Sequence, residues 1–354
     1  MSTTPASWSN VVDYGATPND SGFDNTSSFQ EAINAAATSG GTVFVPAGRW
    51  YFGSSGLSIP TGVRLAGTSN PLADSGGPPA TSSGLAYEGT TANPFITITG
   101  TGAAVVDLAF WITNQSSCGG DPLSFSYTIS GESVSSGPNL TNLYMPNTYN
   151  GIYVLARSVI EHIWMDAGGT GLTIENIYDT TYIRDIHIWP FNDGASGCTP
   201  PSTWDVYVSN TAYGITILNS TNIYISDLFV YGGLIGLYLN VDSLRRASYG
   251  AGTNISFDSC GHGIYVVGTT WAWSISNFGA VACGTSPLAY SLTAVTIGAN
   301  SVKSANGTPP QINLQGGYVG GGNGSGYDKF QDGYLVNSSP VTGAEINSSG
   351  IFVN

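Results

Sequence analysis

The sequence predicts an all-β chain, wound as a single-stranded right-handed parallel β-helix with an N-terminal capping helix. Three observations predict it. A glycine-led strand pattern recurs along the middle of the chain, an alternating strand follows each copy, and only 8% of the 354 residues are charged. An ordinary soluble domain is about 25% charged.

The chain opens with a helix signal. Phe29, Ala32, Ile33 and Ala36 form an apolar stripe at i, i+3, i+4 and i+7, predicting a helix near residues 28–38. Ser27-x-x-Gln30 or Ser28-x-x-Glu31 supplies a capping box, and Gly40-Gly41 stops the helix before a strand at Thr42–Val45. An apolar helix face suits the open end of a solenoid, which needs a cap.

The repeat reads Gly151-Ile-Tyr-Val, Gly171-Leu-Thr-Ile, Gly214-Ile-Thr-Ile, Gly236-Leu-Tyr-Leu and Gly263-Ile-Tyr-Val, in steps of 20, 43, 22 and 27 residues. The long step contains an insertion around Cys198. Second strands such as Ile183-Arg-Asp-Ile-His-Ile-Trp and Ile223-Tyr-Ile-Ser-Asp-Leu-Phe-Val alternate with period 2. One such unit cannot bury its inner face alone, whereas stacked units bury a continuous core. Stacking also explains the missing charges. Like charges on coils about 4.8 Å apart repel, so Ser, Thr, Asn and Tyr take the outer faces.

The run Asp13-Tyr-Gly-Ala16, Asp24-Asn25-Thr26, Phe29-Gln30, Gly40-Gly41-Thr42-Val43 and Pro46-Ala47-Gly48 resembles the start of the pectate-lyase-like β-helix superfamily, which includes polygalacturonase-related hydrolases and phage tailspike-type depolymerases. Ile186-His-Ile-Trp-Pro-Phe191 resembles a stretch of tailspike-type members. The resemblance implies polysaccharide degradation, a homotrimer, and an extracellular or virion-associated location. It does not choose a reaction, because one fold hosts several.

Charge narrows the partners. A net charge of −14 lacks the basic patch a nucleic-acid binder needs and disfavours anionic membranes. No apolar run reaches the roughly 18 residues of a membrane span, and Met1–Asn10 carries no signal-peptide pattern. The four cysteines, Cys118, Cys198, Cys260 and Cys283, form no C-x-x-C motif. Cys118 and Cys198 lie in Gly/Pro/Ser-rich segments and either pair across two loops or stay as buried thiols.

Glycoside hydrolysis needs two carboxyl groups. Asp166 and Asp193 each close an aromatic-rich strand about one coil apart and are the first candidates for acid and base. Glu175 and Asp179 are the reserve pair, with Asp205 beside Trp204 a further reserve. Asp185, Asp227 and Asn277 share one offset and read as a structural ladder. Trp164, Trp189, Trp204 and Tyr231 offer flat apolar faces to a pyranose, or else serve the core. His187 faces outward, for a sugar hydroxyl or a carboxylate, and Arg184 pairs with a carboxylate or a uronate. The expectation is a glycoside hydrolase without cofactor or metal. The alternatives are a β-eliminating lyase, for which Ca²⁺ would neutralise a uronate, and a non-catalytic glycan-binding or virion protein. Residues 1–50 are assigned to the opening strand and cap, 51–290 to the coils with groove-forming loops, and 291–354 to the helix end or an assembly region.

Overall fold

The computed structural model describes residues 8–68, 82–131, 137–241, 249–268, 272–282, 292–301, 310–321, 330–336 and 345–353. Cys283 lies outside them. The described strands stack in parallel, coil upon coil, as the period-2 pattern requires. One stack runs through Val159–Glu175, Thr181–Ile188, Thr221–Tyr231, Tyr249–Asp258 and Ala272–Ala282. The glycine-led strands make another, through Tyr213–Leu218, Ile235–Val241 and His262–Gly268. The fold is the right-handed parallel β-helix that the sequence predicts. Strand pairing continues past residue 290, into the stretch assigned to the helix end or an assembly region, as far as Val353.

The core is a set of in-register stacks. Leu143, Ile163, Ile186, Leu228, Ile255 and Phe278 occupy one inward position in successive coils, all buried. One residue before them runs a column in the left-handed region: Asn142, His162, Asp185, Asp227, Asn254 and Asn277, with φ between 50° and 56°. Asn and Asp tolerate this conformation best among non-glycine residues. Each column residue bends its strand, dividing the stack into two faces. Side chains link along the column, Asn254 Nδ2 donating to Asp227 Oδ1 at 2.7 Å and Asn277 Nδ2 to Asn254 Oδ1 at 2.8 Å. The shared Asp/Asn offset is thus a structural ladder.

Helix α1 spans Thr26–Ala37 and buries Phe29, Ala32, Ile33 and Ala36. Neither expected capping box forms. The helix begins at Asn25, whose buried amide bonds Thr17 and Tyr51 instead and holds the opening turn. Two further helices, α2 (Phe191–Ser196) and α3 (Thr203–Thr211), fill the long step expected as a loop. Helix α3 opens with a capping box: Ser202 Oγ accepts from Asp205 N, and Asp205 Oδ2 from Ser202 N.

Candidate active site

The α2–α3 insertion folds back over the strands around Asp166. A disulfide between Cys118 and Cys198 ties it to the loop after Ile112, and Trp204 N donates to the Cys118 carbonyl at 3.0 Å. Cys260 is a buried thiol.

Under this cover the structure brings three aspartates together. Asp166, Asp193 and Asp205 are 3%, 2% and 8% exposed. Asp166 Oδ1 accepts from Trp204 Nε1 at 2.8 Å, and Oδ2 from Asn192 N at 3.0 Å. Burial drives its carboxyl well above the usual range, and the charges of Asp205 and Asp193 push the same way. Both Asp193 oxygens are buried without a donor. Asp205 meets Asp193 side chain to side chain. Burial first, and Asp193 second, push Asp205 up to about 7. No ion pair with Lys, Arg or His neutralises the cluster among the described residues.

A cavity of about 20 Å³, room for one water, is lined by Asp166 and Asp205 together with Trp189, Tyr213 and Tyr231. Asp193 lies behind, outside the lining. The remaining predicted aromatics divide. Trp189 is 39% exposed and packs on Tyr231 (4.7 Å between ring centres) and Phe229 (5.8 Å). Trp164 is half-buried, one face stacked on Phe191. Trp204 is fully buried and offers no face to a sugar in this arrangement. His187 packs edge-on against Phe229 and Trp164, and burial lowers its pKa. Arg184 lies 3.8 Å from Glu161 and over the Tyr182 ring, on the face across the kink column.

The reserve pair does not join the cluster. Glu175 accepts from Tyr153 Oη at 2.6 Å on the outer face of the glycine-led stack, beside Tyr127. Asp179 pairs with Arg157 at 3.1 Å in the open. Sequence reasoning passed over Asp258. It sits in register with Tyr231, half-buried, its carboxyl raised by burial against the pull of Ser259. Its position closing the aromatic strand Ile255-Ser-Phe-Asp, the criterion that selected Asp166, was the available signal.

Residues 8–210 match the family model described as rhamnogalacturonase A/epimerase, pectate lyase-like. The chain belongs to this family. No curated protein matches its sequence. Among solved structures it resembles the enzymatically active domain of bacteriophage CBA120 tailspike protein 2, with TM-score 0.61 and 11% identity over 98% of this chain and 52% of that one. It spans about half of that tailspike chain. An exopolygalacturonase from Thermotoga maritima gives TM-score 0.51 at 11% identity, covering 99% and 93%. The A-module of an Azotobacter vinelandii mannuronan C-5 epimerase gives 0.50 at 13%, covering 98% and 99%. At these identities the likeness is one of fold. No helix among the described residues is long and apolar enough to cross a membrane.

Proposed function

We propose that this member of the family is a polysaccharide-degrading enzyme, a glycoside hydrolase in which Asp166 and Asp205 form the reacting carboxyl pair. The observation that carries the reading is their meeting at one cavity, beside the exposed Trp189–Tyr231 platform. Glycoside hydrolysis needs one carboxyl protonated and one charged near neutral pH. Asp166, raised well above the usual carboxyl range by burial, is the member that holds its proton, and Asp205, pushed up to about 7, is the one that can ionise near neutral pH. Asp193 meets Asp205 from outside the cavity lining and acts as a positioning residue.

Reducing-end release on a panel of bacterial capsular and plant glycans tests this. Asp166→Asn and Asp205→Asn should each abolish it, and full activity in both would sink the assignment. The second reading, β-elimination, rests on Tyr153 and Glu175. Burial and Glu175 both raise the Tyr153 hydroxyl, which keeps it protonated and a poor base at neutral pH. Products absorbing in the ultraviolet, with release lost on chelating Ca²⁺, would favour the lyase. The tailspike likeness supports a polysaccharide partner, an extracellular or virion-associated location and a homotrimer; light scattering would measure the last.

A further inference from the structure

The sheet on the N-terminal side of the kink column carries a second surface built for polar, uncharged contacts. Tyr182, Tyr224, Ala251, Ser274, Asn313 and Asn347 occupy one outward row across successive coils. The row changes character at Tyr224. Tyr182 and Tyr224 stack at 5.7 Å and are 38% and 43% exposed. The Arg184 guanidinium lies over Tyr182, 4.5 Å from its ring centre. The next residue after Tyr224 in the row is Ala251, whose methyl group leaves the far face of Tyr224 uncovered within the row.

Beyond that face opens a trough of about 640 Å³, floored by Ala251, Gly252 and Ser274 and bordered by Asn313, Gln315 and Asn347. None of its lining residues ionises, in a chain whose net charge is −14. Its polar groups are linked rung to rung: Ser276 Oγ to Thr253 Oγ1 at 3.0 Å, and Asn347 Nδ2 to Asn313 Oδ1 at 3.1 Å. Asn347 Nδ2 also donates to Glu345 Oε2 at 3.4 Å, which uses its two donors, while its Oδ1 still accepts and the Asn313 amide N–H groups still donate. The rungs repeat about every 4.8 Å, close to the length of one hexopyranose unit. Among the described lining residues neither a phosphate backbone nor a uronate chain finds a cation. The chemistry that fits is a neutral, hydroxyl-rich, extended ligand meeting one aromatic face.

We propose that this trough is a second glycan-binding site, holding a neutral polysaccharide along the helix axis with a sugar ring on the open face of Tyr224. It is separate from the carboxylate pocket and does not rest on cleavage there. Electrophoresis in native gels containing a β-1,3-glucan, a galactomannan or a dextran tests it, with wild type and the Asp166→Asn variant run side by side. At least one gel should retard both proteins. Tyr224→Ala and Asn313→Ala should each weaken that retardation about 5- to 10-fold, worth about 1 kcal/mol or more, while Trp189→Ala keeps it. Retardation in none of the gels overturns the proposal, as does retardation lost with Trp189→Ala and kept with Tyr224→Ala. A change of oligomeric mass in Tyr224→Ala or Asn313→Ala by sedimentation would show a subunit interface instead, and would also overturn it. Since retention is read without turnover, failure here leaves the hydrolase reading standing, and loss of reducing-end release leaves this one standing.

Discussion

Replacing Asp205 with Asn should change how stability depends on pH. Asp205 is raised from its ordinary 3.8 to about 7 in the folded protein. Between those values the folded chain holds a proton that the unfolded chain has released. Stability from this group is therefore full below about pH 4 and is lost as pH rises towards 7. A shift of about three units at 1.36 kcal/mol each sets a ceiling of about 4 kcal/mol. Asp205 faces the cavity, where solvent screens it in part, so about half of that ceiling is the expected size. An Asn at 205 does not titrate. Its carbonyl oxygen keeps the bond from Ser202 N, and its amide donates to Asp193, whose oxygens otherwise meet no donor. Urea unfolding read by tryptophan fluorescence at pH 4, 5, 6 and 7 checks this. Relative to wild type, the variant should gain about 2 kcal/mol across that range. The charge of Asp205 also helps raise Asp166, so its removal eases that carboxyl too and acts in the same direction as the gain. Parallel curves for the two proteins would refute the raised carboxyl at Asp205.

Three further outcomes are expected. Trp189→Ala, on the exposed platform, should raise KM about tenfold with the fold intact, since the ring stands at the mouth of the carboxylate cavity; steady-state kinetics with circular dichroism reads both. Cys118→Ser with Cys198→Ser opens a loop of 80 residues, and chain entropy sets the loss at about 4.5 kcal/mol; an unchanged urea midpoint would contradict it. Gly67→Ala should cost about 3 kcal/mol by the same melt, because the added Cβ would run into the Asp107 carbonyl and Ser83.

The fold was legible because its signals are local and repeated. Ile163, Ile186 and Leu228 announce their shared inward face by alternation alone, and the column at Asp185, Asp227 and Asn277 shows as one residue type at one offset. His162 was not legible in that column, since histidine seldom marks a left-handed bend. The site was less legible, because it depends on a tertiary fold-back. Asp166 and Asp193 stand out at aromatic strand ends, but which carboxyl faces the cavity is decided by where α3 lands. That placement follows from a disulfide and a Trp204 side chain far along the chain from Asp166. The Ser202-Thr-Trp-Asp205 capping pattern was the one local hint of a helix in that stretch. It also explains why Trp204 reads as a sugar platform in sequence yet lies inside: α3 turns the ring inward, where its N–H finds Asp166.

The choice of aspartate over asparagine in the buried cluster bears on function. Along the kink column, where the need is only a left-handed bend and a bond to the next rung, the chain uses Asn at 142, 254 and 277. Asp185 and Asp227 of that column, and Asp107 one coil before it, lie beside His162, Asn254 and Asn142, and the two asparagines donate to their neighbours. The cluster beneath α2 and α3 departs from this economy. Burying a carboxylate without a cation costs several kcal/mol, and an amide would serve Ser202 N as acceptor and give Asp193 a donor besides. Packing alone thus favours Asn at 205. Three carboxyls held together instead, one with its pKa near neutrality, are the arrangement expected where a proton must be held and released. If that is their role, Asp205→Asn should be both more stable near neutral pH and inactive, an opposition that a purely structural aspartate would not produce.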